Sequence, residues 1–156
     1  EMKRIGKKPV SKIIGFGVEE ANEAIAKKLQ LETGDVVYFF SRLEIADDLP
    51  MMYGTTYLPL DLFQNMTLDL LESQPLYDLL RKKYHVDFAY AEELFQPILI
   101  NKIDGFHLNV PEGMPGLKIE RFTYMKNHLG NRLIEYTKSI ARGDSFKYRI
   151  CLQNKK

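Results

Sequence analysis

The side chains able to do chemistry in this chain gather along strand-like segments. Reading Val36 to Ile45 (VVYFFSRLEI) with a period of two puts Tyr38, Phe40, Arg42 and Glu44 on one face. That face mixes aromatic rings with a cation and an anion, while Val37, Phe39, Ser41, Leu43 and Ile45 take the other. In Arg132 to Ala141, Leu133, Glu135, Thr137 and Ser139 share a face, and Ile134, Tyr136 and Ile140 fall opposite. Tyr53, Thr55 and Tyr57 share a face of the segment Met51 to Leu58. Stacking rings, an arginine suited to bidentate capture of an oxyanion and a carboxylate that only accepts hydrogen bonds are the materials of a concave small-molecule site. An amphipathic sheet with a solvated polar face would give the same alternation. Arg42 is the one cation that this reading sets among aromatic rings on a strand face.

Signatures of covalent or metal chemistry are missing. The sequence holds no phosphate-cradling glycine loop, no G-x-S-x-G elbow and no H-E-x-x-H pair. His85, His107 and His128 lie far apart, in expected loops or helix ends, and read as surface or packing residues. Cys151 is the sole cysteine, so it closes no internal disulfide and belongs to no cysteine-based zinc site. Its neighbours Ile150 and Leu152 suggest a buried, inert thiol. Arg142-Gly143-Asp144 is best read as a turn. Neither a metal nor a cofactor is expected.

These residues need a frame. Strands are expected at Lys12 to Val18, Val36 to Ile45, Met51 to Leu58, Asp87 to Ile100 with a bend at Pro97, Leu117 to Lys126, Arg132 to Ala141 and Phe146 to Leu152. Ala21, Ile25 and Leu29 recur every four residues and mark a helix, and a short helical segment covers Ile103 to Leu108. A further helix carries Leu76, Leu79, Leu80 and Tyr84, with Ser73 as its N-cap. Long strands with few helices, in no regular βαβ order, predict an α+β fold with a mostly antiparallel sheet. A weak internal repeat accompanies it, because Leu29, Gly34 and Arg42 recur as Leu108, Gly113 and Arg121, each 79 residues on. Such a repeat would give the sheet pseudo-twofold symmetry, with matched hairpins meeting near its centre.

Composition bounds the rest. The 156 residues fit one domain, and 22 Lys+Arg against 21 Asp+Glu give a net charge of +1, unlike a surface built to grip nucleic acid. No run of about 18 apolar residues is present, so no membrane-spanning helix is expected and the chain reads as cytoplasmic. It opens on Glu1 and not on Met, and its first dozen residues carry Lys3, Arg4, Lys7, Lys8 and Lys12. Residues 1–12 are therefore expected to be the end of a linker and 13–153 a single domain.

Several motifs, in order, resemble the UTRA domain, the ligand-sensing half of bacterial GntR-type regulators of the HutC subfamily. They are G-x-x-P-x-S-K at Gly6 to Lys12, A-x-x-x-I-A-x-x-L at Ala21 to Leu29, R-L-x-x-A-D at Arg42 to Asp47 and Y-L-P-x-D-L-F at Tyr57 to Phe63. L-Y-D-L-L at Leu76 to Leu80, I-E-R at Ile119 to Arg121 and I-E-Y-x-x-S-x-x-R-G-D at Ile134 to Asp144 continue the set. The resemblance implies a fold like that of chorismate lyase and a sensor that catalyses nothing. It implies a winged helix-turn-helix domain upstream that binds operator DNA, a homodimer, and a small effector such as a phosphorylated sugar that modulates a repressor. It also implies ligand contacts by Arg42, Glu135 and Tyr77, to which the strand faces add Tyr53, Thr55 and Ser139. At three positions where sugar-phosphate-sensing members carry polar residues, this chain has Gly54, Pro75 and Ala141, and Glu44 replaces a second arginine. With Glu44 beside Arg42, the expected ligand is polyhydroxylated with at most one anionic group. A chorismate lyase-like enzyme and a dimerisation module with a vestigial pocket are the alternatives.

Overall fold

The structure is a computed structural model that describes residues 9–144, 147 and 149–153. Six strands form one sheet in the order β1-β2-β3-β6-β5-β4, and every neighbouring pair is antiparallel. They are β1 (Pro9–Glu20), β2 (Val36–Ala46), β3 (Leu49–Pro59), β4 (Phe88–Leu99), β5 (Pro115–Asn127) and β6 (Gly130–Arg142). The helices are α1 (Glu23–Leu29), α2 (Leu68–Ser73), α3 (Leu76–Tyr84) and α4 (Lys102–Leu108), and a 3-10 turn covers Leu60–Leu62. The α+β, antiparallel architecture is the one expected. Among the described residues no helix is long and apolar enough to cross a membrane.

The internal repeat is built into the backbone. Moving β1, α1 and the start of β2 on by 79 residues reproduces β4, α4 and the start of β5. The local chemistry repeats with it. Asn22 caps α1 by accepting from the Ile25 amide at 2.9 Å, and Asn101 caps α4 by accepting from the Asp104 amide at 2.8 Å. Gln30 and Asn109 end these helices in the left-handed region at φ 58° and 57°. Gly34 and Gly113 then turn the chain into β2 and β5 at φ +95° and +89°, which only glycine adopts without strain. The two halves meet at the antiparallel pair β3–β6.

Burial divides the sheet into two working faces. On one, α2 and α3 cover Tyr38, Phe40, Leu58 and Ile134, with Leu71, Leu79 and Leu80 pressed down from the helices. Each such fully buried leucine contributes about 1.5–3 kcal/mol. On the other face, α1 covers Val37, Leu133 and Tyr136, and α4 brings Leu108 against Ile140.

Four local expectations are corrected. Ser73 ends α2, donating to the Leu70 carbonyl at 2.9 Å, while Thr67 caps α2 and Pro75 precedes α3. Gln74, just before that proline, is extended, as a proline demands of its predecessor, so the expected helix begins only at Leu76 and α2, a helix the sequence did not mark, precedes it. The last expected strand is not formed: residues 147 and 149–152 carry no strand and Cys151 is exposed, Phe146 and Tyr148 lying outside the described residues. Both sides of β6 are already paired, and Arg142 at its end forms an ion pair with Asp144 at 2.8 Å. Strand β1 starts at Pro9, so residues 9–12 pair with β2 instead of trailing as linker. Finally, a β-bulge opposite Thr123 and Tyr124 pairs them with Glu135 and Leu133, leaving Ile134 as the extra residue. Leu133 therefore joins Tyr136 on the α1 face, and Ile134 joins Tyr38 and Phe40 on the α3 face.

Candidate functional site

Where α3 meets the sheet it leaves a cavity of about 670 Å³, within the usual range for small-ligand sites. Cross-strand register builds its floor in rows. Arg42, Gly54, Ser139 and Ile119 form one row, and Phe40, Thr56, Thr137 and Arg121 the next. Tyr77 on the first turn of α3 forms part of the roof. Gly54 permits the close approach of β6, since a Cβ there would run into the Ser139 hydroxyl.

Of the expected site residues, Arg42, Tyr77, Glu135 and Ser139 line this one cavity. Tyr53 and Thr55 do not join them. Arg42 pairs with Gly54, so the even positions of β3 face the cavity and the odd ones face away. Tyr53 stacks on His107 with ring centroids 4.0 Å apart, and Thr55 shares a hydrogen bond with Ser41 at 2.8 Å.

Glu135 is 2% exposed and is the acceptor at the centre of the site. It accepts from the Tyr77 hydroxyl at 2.8 Å, from Thr123 at 2.7 Å and from Thr137 at 2.5 Å. Because Thr137 spends its proton on Glu135, Thr56 is the donor in the 2.8 Å bond between the two threonines. One carboxylate thus ties α3, β5, β6 and, through Thr137, β3. Burial first, and then the Glu135 charge, push the Tyr77 phenol above its ordinary pKa, so it stays a donor.

The two guanidiniums are held differently. Arg121 donates twice to one Glu93 oxygen, at 3.0 and 2.7 Å, and once to the Tyr77 hydroxyl at 3.3 Å. Burial would lower its pKa, but Tyr77, Glu93 and Glu135 outweigh it and raise the value further. Arg42 lies over the Phe40 ring at 5.4 Å and donates to Ser11 at 3.1 Å, which in turn donates to Glu44 at 3.0 Å. Burial lowers the Arg42 pKa, with Glu44 opposing. Among the described residues Arg42 makes no ion pair.

Arg42 is therefore not the one cation set among rings, since Arg121 lies 5.9 Å from the Tyr77 ring centroid. Sequence reasoning left Arg121, Glu93 and Thr123 out of the site. The repeat carried the missing signal for the first, because Arg42 moved on by 79 residues is Arg121. Nothing comparable marked Glu93 or Thr123.

The family of the UTRA domain matches residues 4–147. The HTH-type transcriptional repressor NagR of Bacillus subtilis is 24% identical over 148 residues, which cover 95% of this chain and 59% of that protein. The mannosyl-D-glycerate transport/metabolism system repressor MngR of Escherichia coli is 23% identical over 145 residues, covering 93% and 59%. This chain spans between half and three fifths of the length of such relatives. Among solved structures, the ligand-binding domain of a protein assigned to the GntR-family regulators of Bordetella bronchiseptica superposes with a TM-score of 0.83. It is 26% identical, covering 94% of this chain and 90% of that one. The effector domain of PhnF from Mycobacterium smegmatis shares the fold, with a TM-score of 0.80 at 20% identity, covering 97% and 91%.

Proposed function

Because the chain belongs to the UTRA domain family, we propose that it is the effector-sensing and dimerisation domain of a cytoplasmic, GntR-type transcriptional repressor. A winged helix-turn-helix domain upstream would bind operator DNA, and a small metabolite in the cavity beneath α3 would shift the dimer between arrangements of different operator affinity. The single observation that carries this reading is the convergence of Arg42, Tyr77, Glu135 and Ser139 on one cavity of ligand size. The regulator and repressor names of the relatives support sensing over a lyase activity.

The cavity chemistry favours a hydroxyl-rich effector with at most one anionic group, a phosphorylated sugar being the leading class. Glu44, Glu93 and Glu135 outnumber Arg42 and Arg121 along the lining, so a second anionic group on the ligand would be repelled. Thr56, Thr137 and Ser139 offer hydroxyls to a polyol, and Arg42 offers its remaining donors to one oxyanion.

The test uses the full-length regulator and its operator in a binding assay at physiological salt. Specific binding that a sugar phosphate releases or tightens is expected. Binding no better than to random DNA would refute the regulator reading. Normal operator binding with no response to sugar phosphates, alongside a response to amino acids or short-chain acids, would refute the effector class alone.

A further inference from the structure

The opposite face of the sheet carries a second cavity of about 400 Å³, walled by α1 and α4 and floored by β3, β5 and β6. The repeat explains its place. Thr55 and Lys138, cross-strand partners where the two halves meet, both line it. Lys28 on α1 and His107 on α4, 79 residues apart, lie over Tyr136 and Tyr53, the lysine 5.8 Å from its ring centroid and the histidine 4.0 Å from its own.

The symmetry stops at charge. Lys28 is neutralised by Glu120 at 3.0 Å, and the same carboxylate oxygen accepts the Tyr136 hydroxyl at 2.5 Å. Lys118, two residues before Glu120, and Lys138, directly across from it on β6, also line the cavity. Among the described residues neither lysine forms an ion pair, and Asp104 is the one other charged group in the lining. Two ammonium groups against one carboxylate leave a single positive charge facing a wall of tyrosine rings.

We infer that this second cavity binds a small organic ligand with one anionic group and a flat, unsaturated body. Its oxyanion group, carboxylate or phosphate, is held between Lys118 and Lys138, and its body rests on Tyr53 and Tyr57. Ammonium groups act there as point charges for an oxyanion, and aromatic faces and edges favour a flat partner. The inference does not depend on what occupies the cavity beneath α3.

The test is a methyl NMR titration of the chain with isoleucines labelled, using benzoate and phenyl phosphate as probes. Ile25 and Ile140 line the second cavity, and Ile119 lines the first. Saturable shifts of the Ile25 and Ile140 methyls with either probe, and an unmoved Ile119, are expected. Benzamide, the same ring without charge, and the double variant Lys118→Gln/Lys138→Gln should each weaken binding about tenfold or more, or 1.4 kcal/mol. The charge-preserving Lys118→Arg/Lys138→Arg variant should restore it and so control for the fold. No saturable shift up to about 10 mM probe, shifts confined to Ile119, or equal affinity in the Gln variant would overturn the inference.

Discussion

Replacing Tyr77 by phenylalanine tests the arrangement around Glu135 most directly. The change removes one hydroxyl and leaves the ring, whose packing on Phe88 at 5.0 Å survives. The bond lost is the 2.8 Å donation to a buried carboxylate. Hydrogen bonds to charged groups contribute about 1.5–3 kcal/mol each. The 3.3 Å contact from Arg121 adds little, because water from the cavity replaces it. Glu135 keeps Thr123 and Thr137 as donors, so the carboxylate is not orphaned and the larger penalty of an unsatisfied buried charge is avoided. The expected cost is therefore about 1.5–3 kcal/mol, or a fall in Tm of about 3–12 °C for a domain of this size. Urea unfolding at neutral pH measures it, and amide exchange should quicken across residues 76–84 more than across α1. Glu135→Leu strips the acceptor from three hydroxyls at once and should cost more than Tyr77→Phe. A Tyr77→Phe variant within about 0.5 kcal/mol of the parent would refute the claim that this carboxylate fastens α3 to the sheet.

Three further outcomes follow from the geometry. Arg42→Ala should weaken effector binding about 10- to 150-fold, the equivalent of about 1.5–3 kcal/mol for one charged hydrogen bond, as read by calorimetry with the fold intact. Gly54→Ala, which drives a methyl into Ser139, should destabilise the domain by about 1–3 kcal/mol, whereas Gly15→Ala, with open space around it, should stay within about 0.5 kcal/mol in thermal unfolding. Burial pushes the Glu120 carboxyl up, but hydrogen bonds from Tyr136 and Lys28 outweigh this and hold it below its ordinary 4.5. The folded state thus binds fewer protons than the unfolded chain around and just below that pH, so stability present above 4.5 is lost as pH falls. Lys28→Met should flatten that fall in unfolding measured across the acid range.

The α+β class and all six strands were legible because β-branched, aromatic and alternating residues mark them and glycine or Asp-Asp turns separate them. Faces were legible only within a strand. Nothing in Tyr53-Gly54-Thr55 says which of them shares Arg42's side; that depends on the Arg42–Gly54 pairing, a fact of register between strands. The bulge at Ile134 was hidden for the same reason, since two apolar residues in a row fit either face until Thr123 and Tyr124 choose their partners. Tyr77 entered through family resemblance alone. Its place above Glu135 comes from α3 crossing the sheet, a contact 58 residues long in sequence that no local pattern encodes. The trailing Phe146 to Leu152 alternates well, yet its described residues 147 and 149–152 carry no strand, and the strand just before them, β6, is already paired on both sides, so alternation alone does not make a strand.

The duplicated frame also explains why its two equivalent arginines are unequal. Arg121 faces Glu93 across the β4–β5 pair, so its cross-strand neighbour is a carboxylate, and α3 adds the Tyr77 hydroxyl from above. Arg42 faces Ile13 across the β1–β2 pair, where a register shift between Ile13 and Gly15 breaks the match with β4. Among the described residues its charge meets one hydrogen-bond partner, Ser11, which in turn donates to Glu44. A guanidinium that already donates twice to one carboxylate oxygen and once to a phenol has little left for a ligand, and one bonded to a neutral hydroxyl keeps most of its donors. The segment between β3 and β4, which joins the two halves, is what supplies α3 and roofs one face alone. A symmetric sheet thereby acquires a locked arginine beneath the roof and an available one at the far side of the same cavity. An effector that carries one oxyanion would enter with that group toward Arg42 and its hydroxyls toward Ser139, Thr137 and Thr56.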